Sequence, residues 1–198
     1  MALRLCDQTE WGFGWIREER LARCSHALLA EGGVWVFDPV DADGVDERIR
    51  ELGEPAGVVQ LLDRHARDCV ALATRLGVPH HVVPFQGVHG ASFEPVPISR
   101  RRLWREVALW WPEERVLVCG DALGTARYYR VGDERLAVNP LLRLVPPKAL
   151  GRFEPRHVLC GHGEGVHGDE AAPALEHALT TARRRLPALL PSLVRRSR

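Results

Sequence analysis

The sequence predicts an α/β layered sandwich, two sheets with helices on their outer faces, and three observations predict it. Hairpin-like strand pairs open the chain, strand–helix alternation follows, and a second hairpin leads into a last strand and helix. Elements in that order stack sheets face to face and leave the helices outside. Two apolar strands end in a glycine-flanked polar residue, Val116-Leu-Val-Cys-Gly-Asp-Ala-Leu123 and Val158-Leu-Cys-Gly-His-Gly163, and strand ends are where such folds place ligand and catalytic groups. Finally, 198 residues that are 45% hydrophobic suffice for one domain over 1–198, with its core at about 25–186 and a loose tail over 187–198.

Trp11, Phe13 and Trp15 alternate at strand period and predict an edge strand packing three aromatics. Residues 26–30 and 34–38 predict a hairpin, with Gly32 and Gly33 supplying the positive φ angles of its turn. Residues 45–52 fit a short helix closed by Gly53, and 57–62 a buried strand that runs into the polar knot 63–68. A helix over 68–76 capped by Gly77, and a strand over 78–84, follow. Glycine and proline punctuate 85–99, which predicts loops with one or two short strands. Residues 106–111 and 116–119 form the second hairpin; Pro140, Pro146 and Pro147 break 124–156 into short helices and loops. Ala171, Leu175, Ala178, Leu179, Ala182 and Leu186 share one face of a closing helix over 169–186, with Pro173 in its first turn.

A formal net charge of +1 gives no global field to draw nucleic acid or a membrane. Arg100, Arg101, Arg102 and Arg105 are one short basic cluster with no RNA-binding module around it, while Arg183–Arg185 and Arg195, Arg196 and Arg198 suit a solvated helix end and a tail. The expected partner is a small-molecule substrate or anionic ligand. Five cysteines (Cys6, Cys24, Cys69, Cys119, Cys160) are an odd number without a Cys-x-x-Cys pair, which predicts free thiols and a reducing cytoplasm. The N-terminus carries no apolar signal core, and no apolar run approaches the ~18 residues of a membrane span. Asp121 and His162, the two strand-end polar groups, point to a metal or acid–base site; the alternative is a turn aspartate and a hydrogen-bonded histidine.

The order of elements and these strand ends resemble the metallo-β-lactamase superfamily over residues 25–180. The likeness rests on the opening hairpin ending in Asp38-Pro39, the strand 58–62 leading into 63–69, the hairpin ending in Gly120-Asp121, Gly161-His-Gly163, and the helix after it. It implies a four-layer αββα sandwich and a hydrolase with zinc, iron or manganese in a cleft at one edge of the sheets. The family's Thr-His-x-His-x-Asp-His signature, read without a gap, falls on Asp63-Arg64-His65-Ala66-Arg67-Asp68-Cys69, and its Gly-His ligand on Arg102. On that reading the signature is degenerate: the first metal's three histidines are lost, and the second metal keeps Asp68, Cys69, Asp121 and His162, donor types that bind zinc. Two outcomes follow. One retained ion would make a hydrolase with Asp121 and His162 as ligands, Asp68 as ligand or base, and Arg64 or Arg102 stabilising an anionic intermediate. With no metal, Arg64 and Arg102 would fill the vacated positions in a non-catalytic protein that binds an anionic small ligand or partner. His65 falls on an intervening position and is expected to point away; His80, His81 and His89 are expected to be structural or exposed. His167 lies near the cleft without an expected role, and Glu164 could hydrogen-bond there.

Overall fold

The computed structural model describes residues 4–194, with side chains to 189; Arg195, Arg196 and Arg198 lie outside them. A hairpin of β1 (Leu5–Thr9) and β2 (Gly12–Ile16) opens the chain. Because β1 takes the sheet edge, β2 is an inner strand rather than the expected edge, and the core begins well before residue 25. The three aromatics also part company. Trp11, in the turn, packs between the sheets, whereas Phe13 and Trp15 face the helices outside. β3 (Cys24–Ala30) and β4 (Gly33–Phe37) form the expected hairpin. Its two-residue turn is Glu31-Gly32, at φ 53° and 77°, one residue ahead of the predicted pair.

Next come α1 (Val45–Leu52), β5 (Pro55–Gln60), α2 (Cys69–Leu76) and β6 (His80–Val82). Gly77 closes α2 in the left-handed conformation that an L side chain resists, as predicted. The first sheet runs β1-β2-β3-β4-β5-β6, its last two pairings parallel.

The second half opens with β7 (Glu94–Arg101), an eight-residue strand where shorter ones were expected. Pro95 and Pro97 are tolerated because β7 lies at the sheet edge, where a missing N–H faces outward. β8 (Trp104–Trp111) and β9 (Val116–Cys119) follow, then the two-stranded ribbon β10 (Leu123–Gly124) and β11 (Ala137–Val138). Short 3-10 turns at Pro140–Leu142 and Lys148–Arg152 fit the proline-broken reading of this region. β12 (His157–Cys160) and β13 (Val166–His167) complete a second sheet in the order β13-β12-β9-β8-β7. α3 (Ala171–Val194) runs through Pro187 and Pro191, past the expected end at 186 and into the segment expected to be loose. No helix among the described residues is long and apolar enough to cross a membrane.

Three apolar layers make the four-layer αββα sandwich. Leu28, Trp35, Phe37, Val59 and Leu61 meet Val107, Leu109, Trp111, Val118 and Leu159 between the sheets. Val36 and Val58 back onto Ile49 of α1 and Leu72 of α2, while Leu117, Val158 and Cys160 back onto Leu175, Ala178 and Ala182 of α3. One charged pair is wholly enclosed: Arg143 reaches both carboxylate oxygens of Glu134 at 2.9 and 2.7 Å, each side chain 0% exposed. Its Nη2 also donates to the Tyr129 carbonyl, 2.7 Å.

Candidate metal centre

Asp121 follows β9, as the sequence implies, and its loop is set by a buried carboxylate. Glu106 Oε1 accepts the backbone N–H groups of Asp121 and Ala122 at 2.8 and 2.7 Å, and its Oε2 accepts Trp104 Nε1 at 2.7 Å. Burial first, then the Asp121 charge, pushes the Glu106 carboxyl up to about 7. Tyr129 donates its hydroxyl to the Asp121 carbonyl at 3.0 Å and lies 3.3 Å from Oδ1.

His162 sits in the glycine-flanked turn after β12. Its carbonyl accepts the N–H groups of Thr125 and Ala126, and Gly163 N–H donates to Ala22. Gly163 has φ 85° and lies against Thr125, so no larger residue fits. The His162 ring is fixed at both ends: Nδ1 donates to the Leu21 carbonyl at 2.7 Å, and Nε2 lies 3.0 Å from Asp121 Oδ1.

The third member is His65. Asp38, at the end of β4, accepts Leu61 N–H on Oδ1 and faces His65 Nδ1 with Oδ2 at 2.7 Å. His65 Nε2 is then 3.0 Å from the same Asp121 oxygen that faces His162. Two imidazole nitrogens thus converge on one carboxylate, each with its far nitrogen held by an acceptor. The three donor atoms all lie within 4.8 Å of one another.

Beside them, Arg67 turns its guanidinium inward. Nη1 donates to the Cys24 and Asp38 carbonyls and Nη2 to that of Gly161, at 2.7 to 2.8 Å. It ties the ends of three strands together with a permanent positive charge.

Of the residues expected to form the site, Asp121 and His162 come together and the others do not. Asp68 precedes α2, its carboxylate accepting Asp41 N–H at 2.7 Å. Cys69 opens that helix and is buried in the outer apolar layer, its thiol donating to the His65 carbonyl at 3.4 Å. Arg64 is exposed and stacks on Trp104, 4.5 Å from the ring centroid. Arg102 is exposed in the β7–β8 turn and lines a surface groove with Trp104 and Leu142. The ungapped reading set Arg64 and Ala66 on the signature's histidines and left His65 between them, whereas the structure turns His65 to Asp121. His65, expected to point away, is therefore the third donor, and the arginine beside the donors is Arg67.

The donor set fits a divalent ion. Two nitrogens and one oxygen suit zinc, iron or manganese, and a histidine whose other nitrogen is held by carboxylate or carbonyl is the usual arrangement around such ions. An ion ~2.0–2.2 Å from each donor puts the donors about 3.3 Å apart, against 3.0 Å for each histidine–aspartate pair here.

Without an ion, His65 and Asp121 bond as a charged pair. Burial opposes a charge on His65, but the Asp38 carboxylate beside it, with the bond to Asp121, raises it from 6.5 to about 9. His162 and His65 outweigh burial at Asp121 and hold its carboxyl well below the usual range. The raised His65 value sets a pH dependence. Its stabilising contribution is full below pH ~6.5 and is lost as pH rises through about 9, an amount of ~3 kcal/mol. In chelator, the melting temperature should therefore fall between pH 6.5 and 9.5, and His65→Gln should flatten that fall.

No protein-family model matches the sequence, and no curated protein matches it. Solved structures do. DIM-1 metallo-β-lactamase exposed to ceftazidime aligns over 93% of this chain and 98% of its own, with TM-score 0.62 and 15% identity. A metallo-β-lactamase from Pontibacter korlensis aligns over 91% and 99%, with TM-score 0.65 and 11% identity. The putative diflavin flavoprotein A 5 fragment from Nostoc sp. PCC 7120 aligns over 93% and 98%, with TM-score 0.64 and 9% identity. At such identities the likeness is one of fold.

Proposed function

We propose that this chain of metallo-β-lactamase fold is a hydrolase of small molecules that works with a single metal ion, zinc or else iron or manganese, held by His65, Asp121 and His162. The observation that carries the reading is the convergence of two imidazole Nε2 atoms on Asp121 Oδ1, each ring held from behind by Asp38 or the Leu21 carbonyl. A divalent ion at that point supplies Lewis acidity to a substrate oxygen and to water.

The chain's own residues do the rest. Asp38 keeps a proton on His65 Nδ1 and so leaves Nε2 free to ligate; the Leu21 carbonyl does the same for His162. Glu106 fixes the Asp121 turn, and Tyr129 steadies its carboxylate. Tyr128 is half-buried with its ring edge-on to His162, 5.8 Å between centroids. Burial, then the nearby Asp121 charge, raises its phenol well above the usual value, so it stays a neutral O–H donor available to a substrate oxygen. Arg67 sets a fixed cation beside these donors, which argues for one ion rather than two. Arg64, stacked on Trp104, and Arg102, in the groove that Trp104 also lines, would be the cations offered to an anionic arm of the substrate. Five free cysteines support a reducing, cytoplasmic setting.

A second reading has its own support. Asp38, His65 and Asp121 are hydrogen-bonded in a row once His65 is protonated, with His162 Nε2 3.0 Å from the same Asp121 oxygen, as in a metal-free protein that binds an anion. Elemental analysis after loading with zinc, iron(II) or manganese(II), combined with hydrolysis of nitrocefin, p-nitrophenyl acetate and bis-p-nitrophenyl phosphate, separates the two. The hydrolase reading expects one equivalent that disappears in His65→Ala and in His162→Ala, together with metal-dependent turnover of at least one probe. Metal content unchanged by both substitutions would sink it.

A further inference from the structure

We propose that Cys6, Cys24 and Asp7, closed by His26, form a second metal site, suited to zinc or another thiophilic divalent ion, with donors separate from the His65–Asp121–His162 set. The site arises from strand register. Cys6 of β1 pairs with Gly14 of β2, and Gly14 with His26 of β3, so the three stand in a row across the sheet. Because the middle residue has no side chain, its outer neighbours can lean together over it; a Cβ at Gly14 would sit 2.9 Å from both Cys6 Sγ and His26 Cδ2. Cys24, two residues before His26, shares the face of β3 on which that imidazole stands.

The donors are already close. Cys6 Sγ is 3.5 Å from Cys24 Sγ and 3.5 Å from Asp7 Oδ2, and Cys24 Sγ is 4.0 Å from that oxygen. His26 Nε2 lies 3.0 Å from Asp7 Oδ2 and 3.6 Å from Cys24 Sγ. Tetrahedral zinc, with sulfur at ~2.3 Å and nitrogen or oxygen at ~2.0–2.2 Å, puts sulfurs about 3.7 Å apart and sulfur about 3.5 Å from oxygen or nitrogen. Cys6, Asp7 and Cys24, whose donor atoms lie within 4.8 Å of one another, need shifts of about half an ångström to reach that shape, and His26 closes it by a larger swing toward Cys6.

The other carboxylate oxygen is held from behind. Asp7 Oδ1 accepts Gly165 N–H at 2.8 Å and faces His167 Nε2 at 2.8 Å, so Oδ2 is the oxygen left for an ion. Burial opposes ionisation of Asp7, but His167 and His26 outweigh it and keep the carboxyl well below the usual range. Burial, with the neighbouring Cys6, raises the Cys24 thiol, so an ion would bind with release of both thiol protons.

A disulfide does not account for the pair. β2 lies between β1 and β3, which separates their backbones by about 9–10 Å, whereas a disulfide needs Cα atoms about 4.4–6.8 Å apart. A sulfur–metal–sulfur bridge spans the longer distance. Access runs through His167, whose side chain is 34% exposed and lines a groove of about 590 Å³ with Gly165. An ion here would join β1 to β3 and, through Asp7, to the loop after His162.

Cobalt(II) titration of the reduced, chelator-stripped protein tests this. The expected result is a thiolate-to-cobalt charge-transfer band in the near ultraviolet, which saturates at one equivalent once the other centre is disabled by Asp121→Asn. The His65–Asp121–His162 set has no sulfur, so the band should persist in Asp121→Asn and vanish in Cys6→Ser and Cys24→Ser. A folded wild type without the band overturns the proposal, as does a band that survives Cys24→Ser, or a Cys6–Cys24 disulfide found by mass spectrometry. Should neither serine variant fold, X-ray absorption of Asp121→Asn loaded with one equivalent of zinc decides: two sulfur neighbours are expected, and a sulfur-free shell overturns the proposal.

Discussion

Asp121→Asn should weaken metal binding at the His65–His162 centre by about 100-fold or more and reduce hydrolytic kcat/KM to the metal-free background. Asp121 is the sole carboxylate of that donor set, and both imidazoles point at its Oδ1. An amide oxygen is a far weaker ligand, and an amide N–H₂ in that place would face the nitrogens that must ligate. The fold should survive, because Glu106 grips the backbone N–H groups of 121 and 122 whatever the side chain. Calorimetric titration with zinc, alongside circular dichroism of the same sample, checks both halves. Unchanged affinity in a folded variant would move the centre elsewhere.

Arg143→Met should cost about 3–5 kcal/mol of stability, because it strands the fully buried Glu134 carboxylate without its partner. Urea denaturation measures that cost, and the double variant Arg143→Met/Glu134→Leu should regain much of it by removing both charges. The double variant should nevertheless bind metal more weakly than wild type, by about tenfold. Arg143 also holds the Tyr129 carbonyl, and Tyr129 in turn holds Asp121. Recovery of stability together with full metal affinity would show that this tether contributes nothing to the centre.

Asp121 and His162 were legible in the sequence because each closes an apolar strand and is preceded or flanked by glycine, a local signal that needs no tertiary information. His65 was not. Between Leu62 and Cys69 the chain has no apolar period, so no local signal says which side chain turns inward. What decides it is tertiary: Asp38 takes both the Leu61 N–H and the His65 ring, and α2 starts at Cys69. Arg67 was missed for a related reason. An arginine in a polar knot reads as solvated, and its inward turn depends on a backbone with φ 36° that brings three carbonyls to one point. The αββα order was legible from element succession, but β1 was not, since Leu5-Cys-Asp-Gln-Thr9 has no alternation to mark it as a strand. With β1 unread, Cys6 and Asp7 remained two unrelated residues of the N-terminus.

The prolines of β7 bear on how copies of this chain meet one another. An open sheet margin ordinarily presents a ladder of donors on which a neighbouring molecule can add its own strand. Pro95 and Pro97 remove two of those rungs along the β7 border, so the addition of a neighbour's strand there is disfavoured.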